Sequence, residues 1–167
     1  RHEWGPRATP AEQEALLLRV RNAAPANRRL VCYANFQFQT TTRYGQDRVD
    51  ALRDVPAELV LVEEAKVPRE EAWRRQSECA FVLSPHGGGL DCHRTWEALC
   101  LGCVPIVRRS ALQPLYEGLP VLVVDNWTDV TAELLAETWR GGKQPLHPKL
   151  TLQYWRELMD VADPPCP

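Results

Sequence analysis

Five short runs of apolar, strand-forming residues recur along the chain: "RRLVCYANF" at 28–36, "ELVLVEEA" at 58–65, "AFVLSP" at 80–85, "VPIVRR" at 104–109 and "VLVVD" at 121–125. Their apolar stretches are continuous instead of alternating with polar residues, the pattern of strands covered on both sheet faces. Between them lie segments with helical spacing, "DRVDALRDV", "PREEAWRRQSE" and "DCHRTWEALCLG", and a shorter turn or helix, "ALQPLYEGL". Strands that alternate with helices in this way predict an α/β fold: a Rossmann-like, doubly wound parallel sheet of about five strands with helices on both faces. A chain of 167 residues, 44% of them hydrophobic, suits one such core, so a single domain over residues 1–167 is expected.

The flanks fit this plan. Thr9, Pro10 and Glu12 form a helix start ahead of "ALLLRVRNAA", which predicts a first helix over residues 9–24. Two more helices, "DVTAELLAETWR" and "PKLTLQYWRELMDV", follow the last strand, and the proline-rich end, residues 161–167, reads as a frayed tail. A formal net charge of −2 provides no general attraction to nucleic acid, so no nucleic-acid partner is expected and any phosphate binding must be local. No apolar run is long enough to span a membrane, and the first ten residues lack the apolar core of a signal peptide. The six cysteines do not read as a disulfide framework, because a domain of this size does not need one and most of them fall in apolar or helical runs.

The stretch "SPHGGGLDCHRTWEALCLGCVPIV" at 84–107 carries the chemistry. His86 and the glycines Gly87, Gly88 and Gly89 are compatible with an oxyanion loop, a metal site or a phosphate cradle. A lipase-like oxyanion loop needs a nucleophile elbow of the form G-x-S-x-G, and neither Ser84 nor Ser110 has those glycine neighbours. A zinc site needs ligand pairs that converge, whereas Trp96, Leu99, Cys100 and Cys103 share the spacing of a buried helical stripe, which makes the two cysteines core thiols. The phosphate reading uses the position itself. An apolar strand, open glycine amides and a helix amino terminus together favour an anion at the carboxyl edge of a parallel sheet.

On the same helical wheel Arg94, Glu97 and Leu101 share a face turned away from that stripe. Arg94 offers a guanidinium for phosphate and Glu97 a carboxylate for the paired hydroxyls of a ribose. An ordinary surface ion pair is the simpler alternative for the two residues.

The segments "FVLSPHGGGLDCHRTWEALCLGCVPIV" and "LPVLVVDNWTDVT" resemble the nucleotide-sugar-binding half of exostosin-type glycosyltransferases. The matching residues are Pro85, Gly87, Arg94, Glu97, Ala98, Gly102, Cys103 and Pro105, with weaker flanks that extend the resemblance over residues 28–160. It implies one half of a GT-B fold that binds a nucleoside diphosphate sugar and transfers the sugar to a glycan or glycoprotein acceptor. A second Rossmann-like domain of a larger enzyme would supply acceptor contacts. It also implies the Golgi lumen for a fragment of a membrane-anchored enzyme; a complete chain of this sequence is expected in the cytoplasm. The alternative is a non-catalytic nucleotide- or glycan-binding module.

Further candidates lie at the same sheet edge. Thr40, Thr41, Thr42 and Arg43 follow the first strand, and Arg108 and Arg109 end the fourth; of these, Thr42, Arg43 and Arg108 are expected to bind the donor. His86 is the candidate for proton transfer, with packing as its simpler role. Asp91 is expected to cap the helix, and His93 to cap or pack. Trp73, Trp96, Trp139 and Trp155 are expected in the core, and Trp127 either there or in the pocket. With no convincing Asp-x-Asp motif, no metal cofactor is expected.

Overall fold

The computed structural model describes residues 9–37, 41–65 and 67–162. Thr40, Cys166 and residues 163–167 of the expected tail lie outside them.

The chain runs through α1 (Pro10–Ala23), β1 (Arg29–Ala34), α2 (Gln46–Asp54), β2 (Val60–Val62), α3 (Arg69–Ser77), β3 (Cys79–Leu83), α4 (His93–Leu101), β4 (Val104–Arg108), β5 (Leu122–Val124), α5 (Ala132–Thr138) and α6 (Leu152–Ala162). All five strands pair in parallel, in the order β2-β1-β3-β4-β5. The expected Rossmann-like sheet, with helices on both faces, is therefore present.

Local chemistry explains where the elements begin and end. Thr9 accepts the Glu12 N–H through Oγ1 at 3.3 Å while Glu12 accepts the Thr9 N–H at 2.6 Å, so both ends of the capping box close on α1. Helix α4 stops at Gly102, whose φ of 76° lies in the left-handed region that favours glycine. A β-carbon there would also lie 2.9 Å from an Arg21 nitrogen and 3.0 Å from the Gln144 carbonyl oxygen. The last helix is shorter at its start than the sequence suggests. Pro148–Leu150 forms a separate 3-10 turn, and α6 continues to Ala162, two residues into the stretch read as tail.

Two apolar layers sandwich the sheet. On one face Val20, Trp73, Ala98 and Leu101 from α1, α3 and α4 pack on Tyr33 and Val82. On the other, Ala51, Val55 and Leu135 from α2 and α5 pack on Cys32, Phe81 and Ile106. After β1 the chain turns into α2 on one face, and after β3 it turns into α4 on the other. The loops that follow β1 and β3 therefore diverge, and a crevice opens at their carboxyl ends, where doubly wound sheets bind ligands. Among the described residues no helix is long and apolar enough to cross a membrane.

Candidate functional site

The loops after β1 and β3 are joined at the crevice by a hydrogen bond from the Tyr44 N–H to the Gly87 carbonyl, at 3.1 Å. Gly87 also donates to the Gly89 carbonyl at 3.1 Å, which folds the glycine loop back on itself. Gly87 is buried, and Arg48 occupies the space a side chain would take. A β-carbon there would stand 2.1 Å from Nη2 of Arg48, whose guanidinium packs on the loop. Nothing approaches within 4 Å of the corresponding position at Gly88, and both Gly88 and Gly89 are exposed. Below the loop, the Ser84 and Thr95 hydroxyls share a buried hydrogen bond at 2.8 Å.

On one side of this loop a cleft of about 520 Å³ is lined by Arg43, Tyr44, Asp47, His86, Arg108 and Arg109, among others. Asp47, only 6% exposed, organises it. Its Oδ2 accepts the His86 backbone N–H at 2.8 Å and lies 3.2 Å from Nδ1 of the same residue. Its Oδ1 accepts from Trp127 Nε1 at 2.8 Å and from Arg108 Nη1 at 3.2 Å. Burial pushes the His86 imidazole below its ordinary pKa; the Asp47 charge opposes this shift and the Arg108 charge adds to it. Arg43 lies over the Tyr44 ring, 5.2 Å from its centroid, and Arg109 pairs with Asp125.

The other side of the loop is built differently. Arg94 is only 7% exposed, donates from Nε to the Asn35 carbonyl at 3.3 Å and covers the Phe36 ring at 5.1 Å. Its Nη1 is buried and has no hydrogen-bond partner. Arg48 donates to the carbonyls of Gln37 at 2.6 Å and His86 at 3.3 Å. Burial lowers the Arg94 pKa, an effect opposed by Cys92 and by Glu97 and reinforced by the charge on Arg48. Two cations therefore sit near each other beside the glycine loop, and no carboxylate among the described residues hydrogen-bonds to either. A buried donor left unpaired costs about 1–3 kcal/mol; Arg94 Nη1 is one of several such atoms among the described residues, Arg28 Nε being another, and the one beside the glycine loop.

The candidates named from sequence are thus divided. His86, Arg43 and Arg108 line the cleft; Gly87 and Arg94 lie on its far side. Thr42 is half-buried, with its carbonyl accepting the Gly45 N–H at 2.9 Å, and Thr41 is exposed. Glu97 pairs neither with Arg94 nor with solvent alone: it forms an ion pair with Arg69 of α3 at 2.5 Å. The helical wheel misjudged this helix. Arg94, Thr95, Ala98, Leu99 and Leu101 are its buried residues, while Trp96 and Cys100 are half-buried, because the face opposite the assumed stripe is covered as well.

The helix N-cap is Cys92, without a side-chain cap bond, and Asp91 instead accepts from Trp96 Nε1 at 2.9 Å. His93 is exposed. Trp73 and Trp127 are buried, whereas Trp139 and Trp155 are only partly so. Cys103 is a core thiol, pushed up to about 11 by burial and so poorly suited to act as a thiolate ligand, and the five described cysteines are all free. Among the described residues no three His, Cys, Asp or Glu side chains group as metal ligands would.

Sequence reasoning missed Asp47, Arg48 and Arg69. The first two stand at the start of the helix that follows the first strand, at the same carboxyl edge as the glycine loop, and that position was the available signal.

Fold and site together define a Rossmann-like α/β protein with a cation-rich crevice at the point where the strand order reverses. No family model matches the chain, and no curated protein is significantly similar to it.

Proposed function

We propose that this protein binds a nucleoside diphosphate sugar at the glycine loop and acts as the donor-binding part of a glycosyltransferase, passing the sugar to a glycan acceptor. The observation that carries this reading is the pair of guanidinium groups, Arg48 and Arg94, beside the loop, whose hydrogen-bond partners are backbone carbonyls and the Cys92 side chain, with no carboxylate among them and a buried Nη1 left over. A diphosphate supplies the missing acceptors. Guanidinium groups match phosphate oxygens in a bidentate manner, and the exposed amides of Gly88 and Gly89 add donors at the amino end of α4.

Arg43 and Arg108, whose side chains reach the cleft, are assigned to the distal phosphate or the sugar. Thr42 belongs to the same loop. Glu97, one turn below Arg94, is the carboxylate assigned to the ribose, and it would exchange or share its Arg69 partner on binding. The resemblance to exostosin-type enzymes supports the sugar-nucleotide class over other diphosphates, and it is the only support for transfer as against binding.

The test is a radiolabelled-sugar transfer and donor-hydrolysis assay on the full chain, run beside direct nucleotide binding. Turnover with saturable binding is the expected result. Saturable binding without turnover would identify a non-catalytic module, and the absence of any diphosphate binding would reject the reading.

A further inference from the structure

The cleft holds a second arrangement that donor binding alone does not use. We propose that His86 is the proton acceptor for a hydroxyl substrate in this cleft, with Asp47 as its positioning residue. The proposal rests on the donor-binding reading for its substrate class and on the geometry of the cleft for its residues.

Asp47 accepts the His86 backbone N–H at 2.8 Å, and its Oδ2 lies 3.2 Å from Nδ1. A carboxylate can only accept, so its nearness to Nδ1 favours the tautomer that carries the proton there, which leaves Nε2 with a bare lone pair. Asp47 is itself fixed by Trp127 and Arg108 on its other oxygen. Tyr44 stands edge-on to the imidazole at 6.0 Å, which limits the ring's rotation. Nε2 has no partner among the described residues, and His86 lines the cleft. Burial favours the neutral imidazole that a proton acceptor requires.

The charged and titratable groups around the ring come from several elements. Tyr44 belongs to the loop after β1, Asp47 and Arg48 to α2, and Arg108 to β4; Arg43, Asp50 and Arg109 complete the cleft wall. The cations give a place for negative charge to develop.

The step balances without a further reagent. The acceptor hydroxyl gives its proton to Nε2 while its oxygen forms a bond to the anomeric carbon. The bond from that carbon to the diphosphate oxygen breaks, and the electron pair leaves with the nucleoside diphosphate, whose added charge the guanidinium groups stabilise. His86 then returns its proton to solvent through the open cleft. Such a direct displacement inverts the anomeric centre.

Two measurements test this. Nitrogen NMR of histidine-labelled protein, with His86 assigned through His86→Gln, reads the tautomer directly. The expected state near neutral pH is a neutral ring protonated at Nδ1, with a balance that shifts toward Nε2 in Asp47→Asn. Donor hydrolysis of UDP-glucose and GDP-mannose by the full chain supplies the second readout. His86→Gln should lower kcat by about 100-fold with KM within about threefold of wild type. Asp47→Asn should move the acidic limb of the pH–rate profile as well as lowering kcat, which a purely structural residue would not do. An Nε2-protonated ring in the wild type, unchanged kcat in His86→Gln, or bound donor without turnover would overturn the proposal. If no diphosphate binds, the donor reading fails, and with it the substrate assigned to His86, while the NMR result still decides the tautomer. Near-ultraviolet circular dichroism confirms that each variant is folded.

Discussion

Asp47 on one side of the glycine loop collects the His86 amide, the Trp127 indole and the Arg108 guanidinium around one buried carboxylate. Arg48 and Arg94 on the other side meet carbonyl oxygens and the Cys92 side chain but no hydrogen-bonding carboxylate, and one buried Arg94 nitrogen has no hydrogen-bond partner. Both clusters are polar, both lie at the carboxyl edge of the sheet, and both contact the same loop. The first is complete: each oxygen of the carboxylate is used, so the cluster holds α2, β4 and the glycine loop in register. The second has donors in excess. A buried cation without a carboxylate weakens a fold, so its presence is better explained by a ligand that answers it than by a contribution to stability.

This contrast predicts opposite responses to mutation. Asp47→Ala strands two buried donors, the His86 amide and the Trp127 indole, and frees the half-exposed Arg108, so it should lower unfolding free energy by about 3 kcal/mol in urea titrations. Arg94→Met keeps the length of the side chain and removes an unpaired donor, so stability should stay within about 1 kcal/mol of wild type or rise. A loss of stability in Arg94→Met equal to that in Asp47→Ala would erase the distinction between the two sides.

The glycine loop should show a smaller version of the same asymmetry. Gly87→Ala forces the Arg48 guanidinium off the loop and costs its bonds to the Gln37 and His86 carbonyls, about 1 kcal/mol. Gly88→Ala meets open space and should change stability by no more than about 0.5 kcal/mol. Equal effects at the two positions would mean that Arg48 does not pack on the loop.

The smallest effect concerns pH. Because burial lowers the folded pKa of His86, the unfolded chain takes up this proton first as the solution is acidified. The contribution of the neutral ring is full above the unfolded value, near 6.5, and declines as pH falls through it toward the lower folded value. Urea midpoints measured at pH 7.5 and 5.5 should therefore converge in His86→Gln relative to wild type. A steeper acid decline in the variant would reverse the sign of this assignment.

The elements that could be read from sequence are those with a local cause. The five strands announced themselves as unbroken apolar runs, and α1 as a capping box, because burial on two faces and a helix start each leave a short, contiguous trace. Arg94 shows the opposite. A helical wheel divides residues into faces but does not say how many neighbours cover the helix, and α4 is packed by α1 and α3 as well as by the sheet. The face that the wheel turns away from the core stripe is therefore largely buried. Asp47 and His86 are separated by 39 positions, Arg48 and His86 by 38. Neither pairing has a spacing rule that a single sequence can reveal; only the shared sheet edge hints at it. Glu97 is expected to hold a ribose, with an ion pair to Arg94 as the simpler alternative, whereas its ion pair reaches across to α3, where Arg69 is 28 positions distant.

The central claim is that the guanidinium pair beside the glycine loop is a diphosphate site, and calorimetric titration tests it most directly. UDP, GDP, CDP and ADP are titrated in turn into the wild-type protein and into Arg94→Met, all in the presence of EDTA. At least one nucleotide should bind the wild type with metal removed, and Arg94→Met should weaken that binding by about 1.5–3 kcal/mol, or one to two decades in affinity, with its fold intact. Equal affinity in the two proteins, no binding by any of the four, or binding that appears only when Mn²⁺ or Mg²⁺ is restored would contradict the claim.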